Sequence, residues 1–74
     1  MEFDNNFGKC EVICHLMDVA IIKLENNFEK YVVTIGLSIP SKKWERGYYC
    51  SSFKVASEIF NTIIEDFYMA TFKI

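Results

Sequence analysis

The segment YVVTIGLSIP, Tyr31 to Pro40, constrains the fold of this chain more than any other. Tyr31, Val33, Ile35, Leu37 and Ile39 alternate with Val32, Thr34, Gly36 and Ser38, so an extended backbone carries one oily face and one mostly small or polar face. Pro40 ends the run, because it has no N–H to offer a ladder. Upstream, VAIIKLE (Val19 to Glu25) is rich in β-branched residues, and Asn26, Asn27, Phe28 and Glu29 have the length and the asparagines of a hairpin connection. The two segments are expected to pair antiparallel.

A helix is expected near the C-terminus, where Phe53, Ala56, Phe60, Ile63, Ile64 and Phe67 recur on one face. Lys54, Ser57, Glu58, Asn61, Thr62, Glu65 and Asp66 fall mainly on the other. Ser51 or Ser52 supplies a cap, and Glu65 and Asp66 sit against the negative end of the helix dipole. Between strand and helix, GYYC (Gly47 to Cys50) reads as a short third strand. The tail YMATFKI, Tyr68 to Ile74, extends the helix or forms a last edge strand.

Two periodicities fit the opening stretch. Val12, Ile13, Leu16, Met17, Ala20, Ile21 and Leu24 would stripe a helix; on a strand, Val12, Cys14 and Leu16 share a side. The stiff side chains of Val12, Ile13, Val19, Ile21 and Ile22 and a direct hairpin into Tyr31 favour strands, divided by a bend or bulge near Met17 and Asp18. The expected fold is therefore α+β: an antiparallel β-meander of three to four strands packed against one C-terminal helix, in β-β-β-α order. An N-terminal helix, a β-hairpin and a C-terminal helix form the alternative. At 74 residues the chain is one domain, 1–74, with residues 1–8 expected to be disordered. The composition, 51% hydrophobic and 16% aromatic, is that of a folding chain.

Ten acidic against eight basic residues give a formal charge of −2, too weak a field to gather phosphate backbones or imitate them. MEFDNNFGK has acids where a signal peptide carries basic residues, and no run approaches the roughly 20 apolar residues of a membrane span. The expected location is cytoplasmic, away from membranes, with three cysteines kept reduced. Lysine outnumbers arginine seven to one, and isoleucine, phenylalanine and asparagine abound, as in the proteins of low-GC bacteria and their phages.

Cys10, Cys14 and His15 lie within six residues, with Cys50 further on, which raises structural zinc. On a strand, Cys10 and Cys14 are ~13 Å apart, whereas each thiolate must lie ~2.3 Å from a shared ion. On a helix they would stand one turn apart. The spacing matches none of the common zinc patterns, so no metal or other cofactor is expected. A Cys50–His15 dyad is the one catalytic pair to consider, since imidazole can activate a thiol. No residue is placed by a motif to orient that histidine, and the phosphate-loop, nucleophile-elbow and metalloprotease signatures are lacking.

The stretch PSKKWERGYY joins Lys42, Lys43 and Arg46 to Trp44, Tyr48 and Tyr49. Such residues are enriched at protein interfaces because they bury large areas at small entropic cost. They also suit single-stranded nucleic acid, by stacking and phosphate contact. A third reading folds Trp44 back as a lid on the core. The sheet offers a second route: Tyr31, Val33, Ile35, Leu37 and Ile39 with Ala20, Ile22 and Leu24 would floor the helix, leaving Val19, Ile21 and Val32, with Ile13 as a further candidate, on a half-oily back for a homodimer. The expectation is a non-catalytic intracellular adaptor or inhibitor of phage type, binding a larger protein through the loop around Trp44 or through exposed sheet, an unpaired edge strand included. A small nucleic-acid-binding or regulatory module and a structural zinc domain are the alternatives.

Overall fold

The computed structural model describes residues 1–66. Strands β1 (Glu2–Asn5), β2 (Gly8–Leu16), β3 (Val19–Leu24), β4 (Tyr31–Ile35) and β5 (Arg46–Cys50) are followed by helix α1 (Phe53–Ile64). All neighbours pair antiparallel in the order β1-β2-β3-β4-β5, so the α+β meander holds, with five strands rather than three to four. The extra strand comes from the opening residues expected to be disordered. Asn5 closes the first turn by accepting the Phe7 N–H on its side-chain oxygen at 2.8 Å, and Gly8 leaves the turn at φ +82. Lys9 then reaches Glu2 at 3.3 Å across the pair; hydrogen bonding to that carboxylate raises the lysine's pKa.

The opening stretch is strand, not helix. β2 and β3 meet in a two-residue turn at Met17 and Asp18, where Met17 takes φ +56. Within β2 the ladder also slips by one residue between Val12 and Cys14, with Ile13 as the extra residue of a β-bulge. The long strand expected from Tyr31 to Ile39 stops at Ile35. Gly36 takes φ +77, and the chain turns into a small subsidiary hairpin around Pro40, closed by Ser38 N–H donating to the Lys43 carbonyl at 2.8 Å.

Register decides which side chains share a face, because residues directly opposite one another point the same way. Val19 faces Ile35, Ile21 faces Val33 and Lys23 faces Tyr31, so the helix floor is Val19, Ile21, Tyr31, Val33 and Ile35. Alternation read from the sequence alone places Ala20, Ile22 and Leu24 on that floor. They belong to the opposite face, with Val32, Phe3 and Cys10. β3 is apolar on both faces, so its composition names no side, and the pairing of Lys23 with Tyr31 across the loop settles it. Burying an aliphatic side chain is worth roughly 1.5–3 kcal/mol, and Ile21, Ile22 and Leu24 are all buried, which makes β3 the seam of two layers.

Helix α1 covers β3, β4 and β5. Ser52 caps it, its hydroxyl accepting the Val55 N–H at 3.3 Å. Ala56, Ile59, Phe60, Ile63 and Ile64 pack on the floor, while Phe53, half exposed, meets Tyr31 edge to face at 5.9 Å. Phe67 and the tail from Tyr68 to Ile74 lie outside the described residues.

The other face is not bare. Phe7, Val12, Leu37 and Trp44 pack over it, so the half-oily back proposed for a homodimer does not exist: Val19 and Ile21 lie under the helix and Val32 is buried under the second layer. Among the described residues no helix is long and apolar enough to cross a membrane.

Candidate functional site

Two loops that start at opposite ends of the sheet meet over this second layer. One is the β1–β2 turn, residues 5–8. The other, residues 36–45, leaves β4 and folds back, which glycine permits at two points. At Gly36 a side chain would run into that of Glu45, whose Cγ and Cδ lie 2.9 Å from where a Cβ would stand. At Gly47 a Cβ would lie 2.8 Å from the indole nitrogen of Trp44 and 3.1 Å from Val32. Trp44 therefore lies on the bare backbone of β5, half-buried, as the lid reading of this residue had it.

Its ring stacks on Phe7, centroids 5.6 Å apart and planes 21° from parallel, and Phe7 in turn meets Tyr49 at 5.8 Å. A hydrogen bond from the Asn5 side-chain amide to the Lys42 carbonyl, 3.2 Å, ties the two loops a second time. Between them opens a cleft of about 410 Å³, walled by Asp4, Asn5, Asn6 and Phe7 on one side and Ser41, Lys42, Lys43 and Trp44 on the other. Lys42 takes φ +59, and both lysines are exposed.

The six residues singled out by sequence do not form one patch. Lys42, Lys43 and Trp44 line the cleft and Tyr49 flanks it through Phe7. Arg46 faces Ile35 and Tyr48 faces Val33 across the β4–β5 pair, which puts both on the helix side of the sheet. Sequence reasoning missed Asp4, Asn5, Asn6 and Phe7. The pair of asparagines before Phe7 and Gly8 is a turn signal, but nothing in the sequence relates that turn to Trp44.

The thiols are dispersed. Cys10 faces Leu24 and Val12 faces Ile22, on the second-layer side; after the bulge Cys14 faces Ile21, under the helix. The bulge thus sends Cys10 and Cys14 to opposite faces. Cys50 shares the helix side with Cys14 but lies three strands away, ~14 Å at the usual spacing. His15 faces Ala20 and is exposed on the side opposite Cys50, so the two form no dyad. Burial raises the pKa of all three thiols, away from the thiolate form that metals and nucleophilic chemistry use. Among the described residues no group of three or more His, Cys, Asp or Glu could hold a metal ion.

Comparison with protein-family models, with curated proteins and with solved structures returns no match.

Proposed function

We propose that this chain is a non-catalytic protein-interaction module, an adaptor or inhibitor that docks a larger protein at the cleft between the β1–β2 turn and the loop of residues 36–45. One observation carries the reading: Lys42 and Lys43 stand exposed beside a pre-formed opening whose walls are locked to each other by the Phe7–Trp44 stack and the Asn5–Lys42 hydrogen bond. A docking surface fixed before binding loses little conformational entropy on association, so a small area can suffice. The two ammonium groups favour a partner that presents carboxylates, and the exposed amide of Asn6 offers hydrogen bonds to its backbone. Inhibition by such a module is steric.

The single-stranded nucleic-acid reading is weaker on the same geometry. Phe7 and Trp44 spend a ring face on each other, and the net charge of −2 gives phosphates little attraction.

The test is a charge reversal, Lys42→Glu with Lys43→Glu. Both side chains are exposed, so the fold should persist by amide fingerprint, while a partner recovered by the native chain from cells that carry it should be lost. Undiminished recovery by the double variant would sink the proposal. Steeply salt-dependent binding of an oligonucleotide would replace it with the nucleic-acid reading. Trp44→Ala is the wrong probe, because Trp44 also packs on the core.

A further inference from the structure

The two edges of the sheet are built differently. β1 is short and carries Glu2 and Asp4, charges of the kind that discourage a further strand. β5 pairs with β4 over five consecutive residues without a bulge, has no proline, and carries its one charge, Arg46, at its first position. Its middle, Gly47, Tyr48 and Tyr49, is therefore a straight, uncharged edge, and among the described residues no strand lies beyond it. Backbone N–H and C=O groups along such an edge are satisfied by water or by another extended chain.

Beside this edge, on the helix side, runs a cleft of about 370 Å³ lined by Tyr48, Glu58, Ile59, Thr62 and Ile63. The lining is chiefly apolar, with the exposed Glu58 on its rim. An added strand alternates its side chains, so every second one would drop into this cleft and the others would pass Gly47 and Tyr49 on the opposite face.

We infer that β5 and the cleft beside α1 form a second docking site, which takes an extended segment of a partner protein with an apolar residue at alternate positions and a lysine or arginine near Glu58. A second copy of this chain fits less well. The two-fold that pairs β5 with itself turns each α1 toward its image, Glu58 toward Glu58, and offers the cleft only Tyr48. This site shares no lining residue with the cleft of Lys42 and Lys43, so occupation of both makes the chain a bridge between two ligands.

The probe is the blocked hexapeptide Thr-Val-Thr-Val-Thr-Lys, whose two valines and lysine share one face, titrated into the full chain and followed by two-dimensional NMR. Expected are shifts of the Gly47, Tyr48 and Tyr49 amides and of the Ile59 and Ile63 methyls. Binding should weaken about fivefold in Glu58→Lys, the size of one exposed ion pair, and recover with a peptide carrying glutamate in place of its lysine. Lys42→Glu with Lys43→Glu should leave it unchanged, which separates this site from the one proposed above. The inference is overturned by absence of shifts at millimolar peptide, by equal binding of a peptide N-methylated along its pairing edge, or by shifts confined to β1. It is equally overturned if the free protein sediments as a dimer with these amides protected, or shows cross-strand contacts from Tyr48 to any of residues 67–74, because the edge is then already filled.

Discussion

The indole of Trp44 and the phenyl ring of Phe7 lie stacked 5.6 Å apart, although the chain separates them by the whole of β2, β3 and β4. This pair is where the β1–β2 turn and the loop of residues 36–45 are fastened together. It does two jobs, since both rings also pack on the buried layer of Phe3, Cys10, Ile22, Leu24 and Val32. Packing and site geometry are thus coupled through the same two side chains.

That coupling is measurable by a double-mutant cycle. Phe7→Leu and Trp44→Leu should each lower unfolding stability, and the pair should show an interaction energy of about 0.5–1.5 kcal/mol, the range for aromatic contacts beyond area burial. Denaturant unfolding of the four proteins gives the number. Strict additivity would mean that the two loops are held independently, and the proposal of a locked cleft would lose its support.

Gly47 is the floor beneath the indole. Gly47→Ala places a methyl group 2.8 Å from the indole nitrogen, closer than a methyl group can stand, and a tight 3.1 Å from Val32, so the ring has to lift. A cost of about 1–3 kcal/mol is expected for such overpacking. Tryptophan fluorescence should shift toward that of a solvated indole, and the Asn5–Lys42 bond should weaken. An unshifted emission with native stability would show that Trp44 does not rest on Gly47.

Much of this architecture is legible in the sequence, and the misses have physical causes. The hairpin of Val19–Leu24 with Tyr31, the strand before Cys50, the Ser52 cap and the helix face all follow from period, turn residues and capping chemistry. β1 was missed because four residues rich in charge carry no periodic signal; pairing to β2 makes it a strand. The side assigned to Ala20, Ile22 and Leu24 was reversed because β3 is oily on both faces, and register, which composition does not encode there, decides. The bulge at Ile13 has no sequence mark either, yet it alone sends Cys14 to the face opposite Cys10. Of the candidate cleft, Lys42, Lys43 and Trp44 stood out by residue type, whereas Asn5 and Phe7 owe their role to a loop folding back across the sheet.

The dispersal of the thiols predicts an order of reactivity. Cys10 and Cys50 are buried and Cys14 only partly so, so a small alkylating reagent should modify Cys14 first and the others only on unfolding. Mild oxidation should yield no disulfide between Cys10 and Cys14 within one chain, because they face opposite ways. Peptide mapping by mass spectrometry reads both.

Burial holds all three thiol pKa values above their unfolded values, which fixes a sign. Above the ordinary thiol range, near pH 8.5, the unfolded chain releases protons that the folded chain retains. The stabilisation is whole below that range and falls as pH rises through the raised native values. The denaturant midpoint should drop between pH 8 and pH 10, and drop less in Cys10→Ala when each protein is compared with itself at pH 7. A midpoint that rises over this interval would contradict the burial of these groups.

Thr34 offers the sharpest test of the second layer. It is fully buried, opposite Ala20 and Gly47, and its hydroxyl oxygen has no hydrogen-bond partner. A buried hydroxyl without a partner costs about 1–3 kcal/mol, and valine has nearly the same shape without that group. Thr34→Val should therefore stabilise the chain by about 1 kcal/mol, an increase in Tm of roughly 4–8 °C for a domain of this size. Thr34→Ser, which keeps the hydroxyl and removes only the methyl group, should destabilise, so the pair of variants separates the polar effect from the packing effect. If valine destabilises instead, the hydroxyl has a partner in solution, and a bound water beside Ala20 and Gly47 is the group to look for by crystallography.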